Sequence, residues 1–207
     1  MTETIADILG RARVIPVLVI EDAAHAVPLA RALTAGGLPV LEITLRTDAA
    51  MESIRRIAAE VPEAVVGAGT VLSARDLAAA RAAGARFAIS PGATDALLAA
   101  TRDDGLPFLP GVATASEVMR GLEAGLTHFK AFPAATIGGP AAVAAFGGPF
   151  PQARFCPTGG VKPDNAADYL RLPNVLCVGG TWLAPRDAVA AGDWARLTDL
   201  ARTAAAL

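Results

Sequence analysis

The sequence predicts an α/β protein, namely a (β/α)8 barrel with a short N-terminal helix. Two observations predict this class: short apolar segments alternate with Ala-rich stretches of helical periodicity, and both recur at a regular spacing. Strands that alternate with helices pair in parallel through right-handed crossovers. Eight apolar segments are present, which is the number that closes a barrel: 14–19, 40–44, 64–66, 87–90, 108–109, 128–132, 154–156 and 175–178.

The stretches between these strands are predicted to be helices, and their ends carry helix signals. Ser73 followed by Asp76 is typical of a capping box at a helix start. The dipeptides Ala35-Gly36, Ala83-Gly84 and Ala124-Gly125 each place glycine where a helix favours a left-handed C-cap, shortly before a strand. We therefore expect repeated strand-helix units.

An open doubly wound sheet is the alternative architecture, and its usual signature is a GxGxxG turn after a strand. The turn at Gly67-Ala68-Gly69 follows the third predicted strand, but Leu72 occupies the position of the third glycine. The sequence also lacks the GK[ST] of a P-loop. The barrel is the favoured architecture.

Length and charge limit the classes of function. A chain of 207 residues suits one domain, which we place at residues 1–207. The formal net charge is -2 with no basic block, so we expect no nucleic-acid partner. The apolar run at 14–20 is far shorter than the roughly 20 residues of a membrane helix, and residues 1–4 lack the basic start of a signal peptide. We expect a cytoplasmic protein without a membrane partner.

Cysteine and histidine give little reason to expect metal or redox chemistry. Cys156 and Cys177 lie in apolar segments without a CxxC pair, which favours small buried core residues over a disulfide. His25 and His128 are the only histidines, so no His-rich metal cluster can form. We expect no metal and no cofactor, although a Mg²⁺ site made of carboxylates alone stays open.

Two predicted strands contain a charge where a parallel barrel strand is normally apolar throughout. Glu42 lies in the middle of the second strand and Lys130 in the middle of the sixth. Side chains of alternate strands share a layer in such barrels, so Glu42 and Lys130 can meet inside the barrel. An ion pair that only sets the register of the barrel is the alternative interpretation.

Composition favours a chemical role for the lysine. The chain has sixteen arginines and two lysines, so a plain positive charge is nearly always supplied by arginine. Burial disfavours the charged form, and a free amine attacks a carbonyl carbon to give an imine. We predict that Lys130 forms a Schiff base with a 2-keto acid and that Glu42 carries protons for it. The second lysine, Lys162, is expected to be exposed in a loop.

Polar and small residues follow several strands, at the end where barrels carry their active sites. Arg46 is a suitable partner for a carboxylate or else a surface charge, and Thr70 ends a small-residue turn that is equally compatible with a plain tight turn. The loops after the seventh and eighth strands each contain Gly-Gly, which suits phosphate binding by backbone N–H groups. These two loops contain Thr158, Gly159, Gly160, Gly179, Gly180 and Thr181.

Five motifs carry a resemblance to a known family: VLEITLRT at 40–47, VGAGTVL at 66–72, AISPG at 88–92, FKAFPA at 129–134 and FCPTGG at 155–160. The chain resembles the family of 2-keto-3-deoxy-6-phosphogluconate (KDPG) aldolases, class I enzymes of the Entner-Doudoroff pathway, from about residue 14 to 183. Departures are small: Thr181 stands where many relatives have serine, and segment 135–139 matches no assigned pattern.

The resemblance implies a carbon-carbon lyase without cofactor that cleaves this phosphorylated 2-keto acid to pyruvate and glyceraldehyde 3-phosphate. It also implies a homotrimer of barrels. Related activities on 4-hydroxy-2-oxoglutarate or on the galactonate epimer are the nearest alternatives, and a non-catalytic phosphosugar-binding barrel is a remote one. The roles implied are Lys130 as the Schiff-base lysine, Glu42 as the acid/base, Arg46, Thr70 and Thr158 for the pyruvyl end, and Gly159, Gly160, Gly179, Gly180 and Thr181 for the phosphate.

Overall fold

The computed structural model describes residues 3–207, and its strands and helices alternate along the chain. The strands are β1 (Val14–Leu18), β2 (Val40–Thr44), β3 (Val65–Gly69), β4 (Ala88–Ile89), β5 (Phe108–Leu109), β6 (Gly111–Val112), β7 (His128–Ala131), β8 (Arg154–Phe155) and β9 (Val178–Gly180). The helices are α1 (Ile5–Leu9), α2 (Ala26–Ala35), α3 (Ala50–Glu60), α4 (Ala74–Ala82), α5 (Asp95–Asp104), α6 (Ala115–Glu123), α7 (Gly139–Ala145), α8 (Ala166–Leu170), α9 (Arg186–Ala190) and α10 (Trp194–Ala205), with a 3₁₀ turn at Ala23–His25.

The strands form a curled parallel sheet in two parts. The first part has the order β5-β4-β3-β2-β1-β9 and the second has the order β6-β7-β8. All of the pairings between these strands are parallel. The α/β class, the parallel pairing and the short N-terminal helix are thus confirmed.

The predicted fifth strand at 108–109 is β5, and a further short segment, β6, follows it at 111–112, so residues 3–207 contain nine strand segments rather than the predicted eight. Pro110 lies between β5 and β6, and proline has no N–H to contribute to a ladder. Its carbonyl still accepts a hydrogen bond from the N–H of Lys130 at 2.8 Å. Pro110 therefore separates β5 from β6, while its carbonyl keeps this part of the chain hydrogen-bonded to β7.

Two glycine segments that the sequence predicts as turns are strand residues. Strand β3 runs to Gly69 instead of ending at residue 66, and β9 includes Gly179 and Gly180. Close packing explains these glycines. A Cβ on Gly67 would lie 2.5 Å from the Phe87 ring, and one on Gly179 would lie 2.3 Å from Thr158 Oγ1. Glycine here makes room for neighbouring side chains, and the turn prediction was wrong.

The predicted C-caps are correct at two of three positions. Gly84 and Gly125 have φ of 94° and 84°, as a left-handed cap requires. Gly36 has a right-handed φ of -82°, and Gly37 takes the left-handed conformation instead. Packing explains why position 36 is glycine, because a Cβ on Gly36 would lie 2.4 Å from the Cβ of Ala201 in α10.

The predicted capping box at Ser73 is half formed. The Ser73 side chain accepts a hydrogen bond from the N–H of Asp76, but the Asp76 carboxylate accepts from the N–H of Leu72 rather than from that of Ser73. A complete box is present at α1, between Thr4 and Asp7. Both arrangements satisfy N–H groups that a helix start leaves free.

A separate apolar cluster lies on the inner face of the curled sheet, and α1 covers one end of it with Ile8 and Leu9. Its other buried members come from the strands or from residues next to them: Ile15, Val40, Val65, Phe87, Ile89, Leu109, Cys156 and Cys177. A larger cluster fills the space between the strands and the surrounding helices. Side chains therefore fill the inner face on the N-terminal side of Glu42, where Val40 lies.

Both cysteines are buried free thiols, which confirms the prediction of small core residues. The pKa of the Cys177 thiol is raised well above its ordinary value, first by its hydrogen bond with Cys156 and then by burial. The neutral thiol is consequently the form present in the folded protein at neutral pH.

Along residues 3–207, no helix is long and apolar enough to cross a membrane. The predicted domain at 1–207 and the prediction about residues 1–4 both include Met1 and Thr2, which lie outside the described residues.

Candidate active site

The structure brings Glu42 and Lys130 together on the inner face of the sheet. Lys130 Nζ donates a hydrogen bond to Glu42 Oε1 at 2.9 Å. Glu42 is 1% exposed and Lys130 is 5% exposed, so both charges are removed from water. Removing two charges from water costs several kcal/mol per ion, and a direct hydrogen-bonded ion pair offsets part of that cost.

Strand alternation places both side chains inward. Glu42 follows Val40 by two residues on β2, and Val40 belongs to the inner apolar cluster. Lys130 lies on β7 in register with Gly111 of β6. Glu42 and Lys130 are 88 residues apart in sequence, so only the curvature of the sheet brings the carboxylate to the amine.

Sequence reasoning missed Phe132 as a residue of this site. The ring centroid of Phe132 lies 5.4 Å from Lys130 Nζ, within the range of a cation–π interaction. The residue looks like one more apolar position in its strand. Its spacing of two from Lys130 is the signal that could have identified it, since such residues share a face.

Arg46 and Thr70 also lie together, after β2 and after β3. The Arg46 Nε–H donates to Thr70 Oγ1 at 3.3 Å, and Arg46 is exposed. Thr70 has a φ of 61°, and it is the one non-glycine residue with positive φ among residues 3–207. A β-branched residue in this region is strained, and such strain clusters at ligand-binding sites. This strain makes Thr70 a candidate ligand-binding residue.

The two Gly-Gly segments are joined through Thr158 and Gly179, which form a parallel bridge. Gly159 and Gly160 have φ of 92° and 76°, so they form a loop, as predicted. Within residues 3–207, the N–H groups of Gly159 and Gly160 donate no hydrogen bond. They are free donors of the kind that an anion accepts.

The second segment differs from the prediction because Gly179 and Gly180 are strand residues. The N–H of Gly179 already donates to the carbonyl of Pro157 at 2.9 Å, while Thr181 is exposed at the end of the strand. Segment 135–139, unassigned from sequence, borders the first loop: a Cβ on Gly160 would lie 2.4 Å from that of Ala135.

The remaining titratable candidates lie elsewhere. Lys162 is exposed, as predicted. His128 is half-buried at the start of β7, and burial, followed by the nearby charge of Arg154, holds its pKa below the ordinary value. In the described part of the chain, no three His, Cys, Asp or Glu side chains converge in a way that could hold a metal ion.

A family model described as KDPG and KHG aldolase matches residues 5–200. The chain belongs to the KDPG and KHG aldolase family. The 2-dehydro-3-deoxy-phosphogluconate aldolase of Pseudoalteromonas atlantica is 58% identical over 200 residues, which cover 97% of this chain and 93% of that protein. The family resemblance inferred from the five motifs is thereby confirmed.

Two crystal structures of KDPG aldolases share the fold over almost their whole length. The enzyme from Legionella pneumophila, with pyruvate captured at low pH as a covalent carbinolamine intermediate, is 45% identical, has a TM-score of 0.97 and covers 99% of this chain and 100% of its own. The enzyme from Zymomonas mobilis with 3-phosphoglycerate is 50% identical, has a TM-score of 0.95 and covers 100% of this chain and 97% of its own.

Proposed function

We propose that this protein is a class I aldolase that cleaves 2-keto-3-deoxy-6-phosphogluconate to pyruvate and D-glyceraldehyde 3-phosphate. The observation that carries the proposal is the buried pair of Lys130 Nζ and Glu42 Oε1 at 2.9 Å. A buried amine in contact with a carboxylate supplies a nucleophile and its proton acceptor in one site. Membership of the KDPG and KHG aldolase family gives the substrate class.

The geometry allows the first half of the reaction. Glu42 takes a proton from Lys130, and the freed lone pair of Nζ forms a bond to the ketone carbon C2. Glu42 returns that proton to the carbonyl oxygen to give the carbinolamine hydroxyl. It then moves a second proton from the nitrogen to this hydroxyl, which leaves as water while the iminium forms. Burial of both groups keeps bulk water from competing with these transfers.

Cleavage uses the same two residues. Glu42 accepts the proton of the C4 hydroxyl, the C3–C4 bond breaks, and its electron pair flows into the iminium to give an enamine and the aldehyde. Protonation of C3 by Glu42 regenerates an iminium, and hydrolysis then releases pyruvate and the free lysine. One acid/base group thus serves every proton transfer at carbon and oxygen.

The remaining site residues divide between the two ends of the substrate. We assign Arg46, Thr70 and Thr158 to the pyruvyl end, because the Arg46–Thr70 pair offers a guanidinium and a hydroxyl beside the end of β2. The phosphate end is assigned to Gly159, Gly160, Gly179, Gly180 and Thr181. Free N–H groups at Gly159 and Gly160 support this assignment. Gly179 acts differently: because it has no side chain, the Thr158 side chain can pack against it.

The proposal includes a closed (β/α)8 barrel made by one domain. The bridges Phe155–Val175 and Thr158–Gly179 support closure, because they connect the β8 side of the second sheet part to the β9 edge of the first. Only Pro110 separates β5 from β6, which supports counting the two segments as one strand of the barrel. The cytoplasmic location, the absence of a cofactor and the homotrimer stay predictions. Sedimentation analysis of the purified protein would test the trimer.

The test is to trap the imine. The protein is incubated with pyruvate, reduced with borohydride and digested, and the adduct is located by peptide mass. We expect the adduct on Lys130, with none on Lys162, and its loss in Lys130→Met but not in the control Lys162→Met. Absence of an adduct on Lys130 in the wild type would overturn the proposal.

A second candidate is the cleavage of unphosphorylated 4-hydroxy-2-oxoglutarate, since the matching family model covers both KDPG and KHG aldolases. The two substrates share the 2-keto end and differ in the phosphate. Comparing kcat/KM for both, in the wild type and in Gly160→Ala, separates the candidates. Equal effects of the variant on the two substrates would remove the case for a phosphate site at the Gly159–Gly160 loop.

A further inference from the structure

Asn165 lies just before α8 and contacts the loop that carries Gly159 and Gly160. Its Nδ2 donates to the carbonyl of Gly160 at 3.0 Å, and its Oδ1 accepts from the N–H of Lys162 at 2.8 Å. The second bond settles the orientation of the side-chain amide, because only the amide oxygen can accept from a backbone N–H. The NH₂ group of Asn165 therefore faces the Gly160 carbonyl.

Each of the three successive carbonyls of this loop has a donor that fixes it. The carbonyls of Thr158 and Gly159 accept from the N–H groups of residues 134 and 135, at 2.8 and 3.0 Å respectively. Asn165 supplies the third donor, at Gly160. Both glycines have positive φ and no side chain to restrict them, so these hydrogen bonds hold the peptide planes of the loop in place.

The peptide that Asn165 fixes joins Gly160 to Val161, and its N–H belongs to Val161. This peptide is trans, so its N–H points away from the carbonyl that Asn165 contacts. Val161 is 5% exposed and its side chain packs in the larger apolar cluster, yet within residues 3–207 its N–H donates no hydrogen bond. Buried backbone N–H groups nearly always have a partner, so this one is a candidate ligand contact.

We propose that Asn165 is a positioning residue for the phosphate group and that the Val161 N–H is a further phosphate donor. The inference rests on the proposed function, which assigns the phosphate to the loop of Gly159 and Gly160. Three consecutive N–H groups, each opposite a carbonyl that is already bonded, form a row of fixed dipoles, and such a row binds an anion without first having to be ordered. Without the Asn165 contact, the Gly160–Val161 peptide can rotate and the third donor is lost.

Kinetics separates this role from general support of the loop. The variant Asn165→Ala removes both side-chain hydrogen bonds, whereas Asn165→Asp keeps the acceptor for Lys162 but has no donor for Gly160. The control Thr4→Ala also removes a hydrogen bond at a helix start, but at α1, which covers the apolar end of the inner face. Each variant is compared on the phosphorylated substrate and on 2-keto-3-deoxygluconate, which is the same sugar acid without the phosphate.

We expect Asn165→Ala and Asn165→Asp to lower kcat/KM for the phosphorylated substrate by about tenfold, as the loss of a hydrogen bond to a charged group does. For the unphosphorylated acid, kcat/KM should stay within about twofold of the wild type, as it should for both substrates in Thr4→Ala. Equal losses on the two substrates would overturn the role of Asn165. The role is also wrong if the phosphorylated substrate shows no loss, or a loss that Asn165→Asp does not share.

The Val161 donor has its own test in the wild-type protein, which does not depend on any variant. Backbone amide resonances are followed by NMR while inorganic phosphate is added. We expect the Val161 resonance to shift together with those of Gly159 and Gly160, and the Val161 shift to be lost in Asn165→Ala. If the wild-type Val161 resonance does not move, the inference is wrong. If pyruvate and borohydride give no adduct on Lys130, the proposed function fails instead, and the phosphate titration still decides whether Val161 binds the anion.

Discussion

Gly69 lies directly against the carboxylate of Glu42: a Cβ built on Gly69 would come 2.3 Å from Glu42 Oε1. Such a distance forces the carboxylate to move. We therefore expect Gly69→Ala to lower kcat by about a hundredfold, as displacements of about 1 Å at catalytic groups do. The control is Gly92→Ala, since a Cβ there would have no atom within 4 Å. Steady-state kinetics of both variants measures kcat. A Gly69→Ala variant with the kcat of the wild type would contradict the prediction.

The Lys130–Glu42 pair should also show its burial in the stability of single variants. Removing one partner leaves an uncompensated buried charge, which costs about 3–5 kcal/mol of the free energy of unfolding. We expect this loss in Lys130→Met and in Glu42→Leu, and a much smaller loss in the double variant. Urea denaturation of the four proteins measures the coupling. Additive losses in the double variant would show that the two charges do not compensate each other.

The hydroxyl of Thr70 accepts a hydrogen bond from Arg46 at 3.3 Å. Thr70→Val keeps the β-branched shape and removes that acceptor, so the Arg46 guanidinium is less well oriented for a carboxylate. We expect the KM for the keto acid to rise by about tenfold, with the free energy of unfolding changed by less than about 1 kcal/mol. Thr203→Val, on the exposed side of α10, is the control. An unchanged KM would remove Thr70 from the pyruvyl subsite.

His128 should make the protein less stable in mild acid. Burial, and then the charge of Arg154, lower the pKa of His128, so the unfolded chain binds its proton more readily than the folded one. The contribution is fully present above about pH 6.5 and declines as the pH falls through the lowered pKa. We expect the free energy of unfolding to depend less on pH between about 7 and 5.5 in His128→Gln than in His25→Gln. Parallel pH curves for the two variants would refute this.

Chain-local signals predicted much of the fold. Period-two and helical periodicities identified the strand-helix alternation, and glycine marked the left-handed caps at Gly84 and Gly125. Predictions failed where a distant residue decides the local structure. Gly36 makes room for α10 instead of forming the left-handed cap, and Gly69 is a strand residue that makes room for Glu42. Local periodicity contains no information about such long-range contacts.

The sequence by itself determined the class of the protein and the two charges of its site, because a lysine and a glutamate in apolar strands are too costly to leave without a role or a partner. Only the tertiary structure decided which atoms meet. Curvature of the sheet joins residues 88 positions apart, sets Nζ 2.9 Å from Oε1, and leaves the same oxygen 2.3 Å from where a Cβ on Gly69 would lie. Those distances depend on how strands far apart in the chain pack together, which no local pattern encodes.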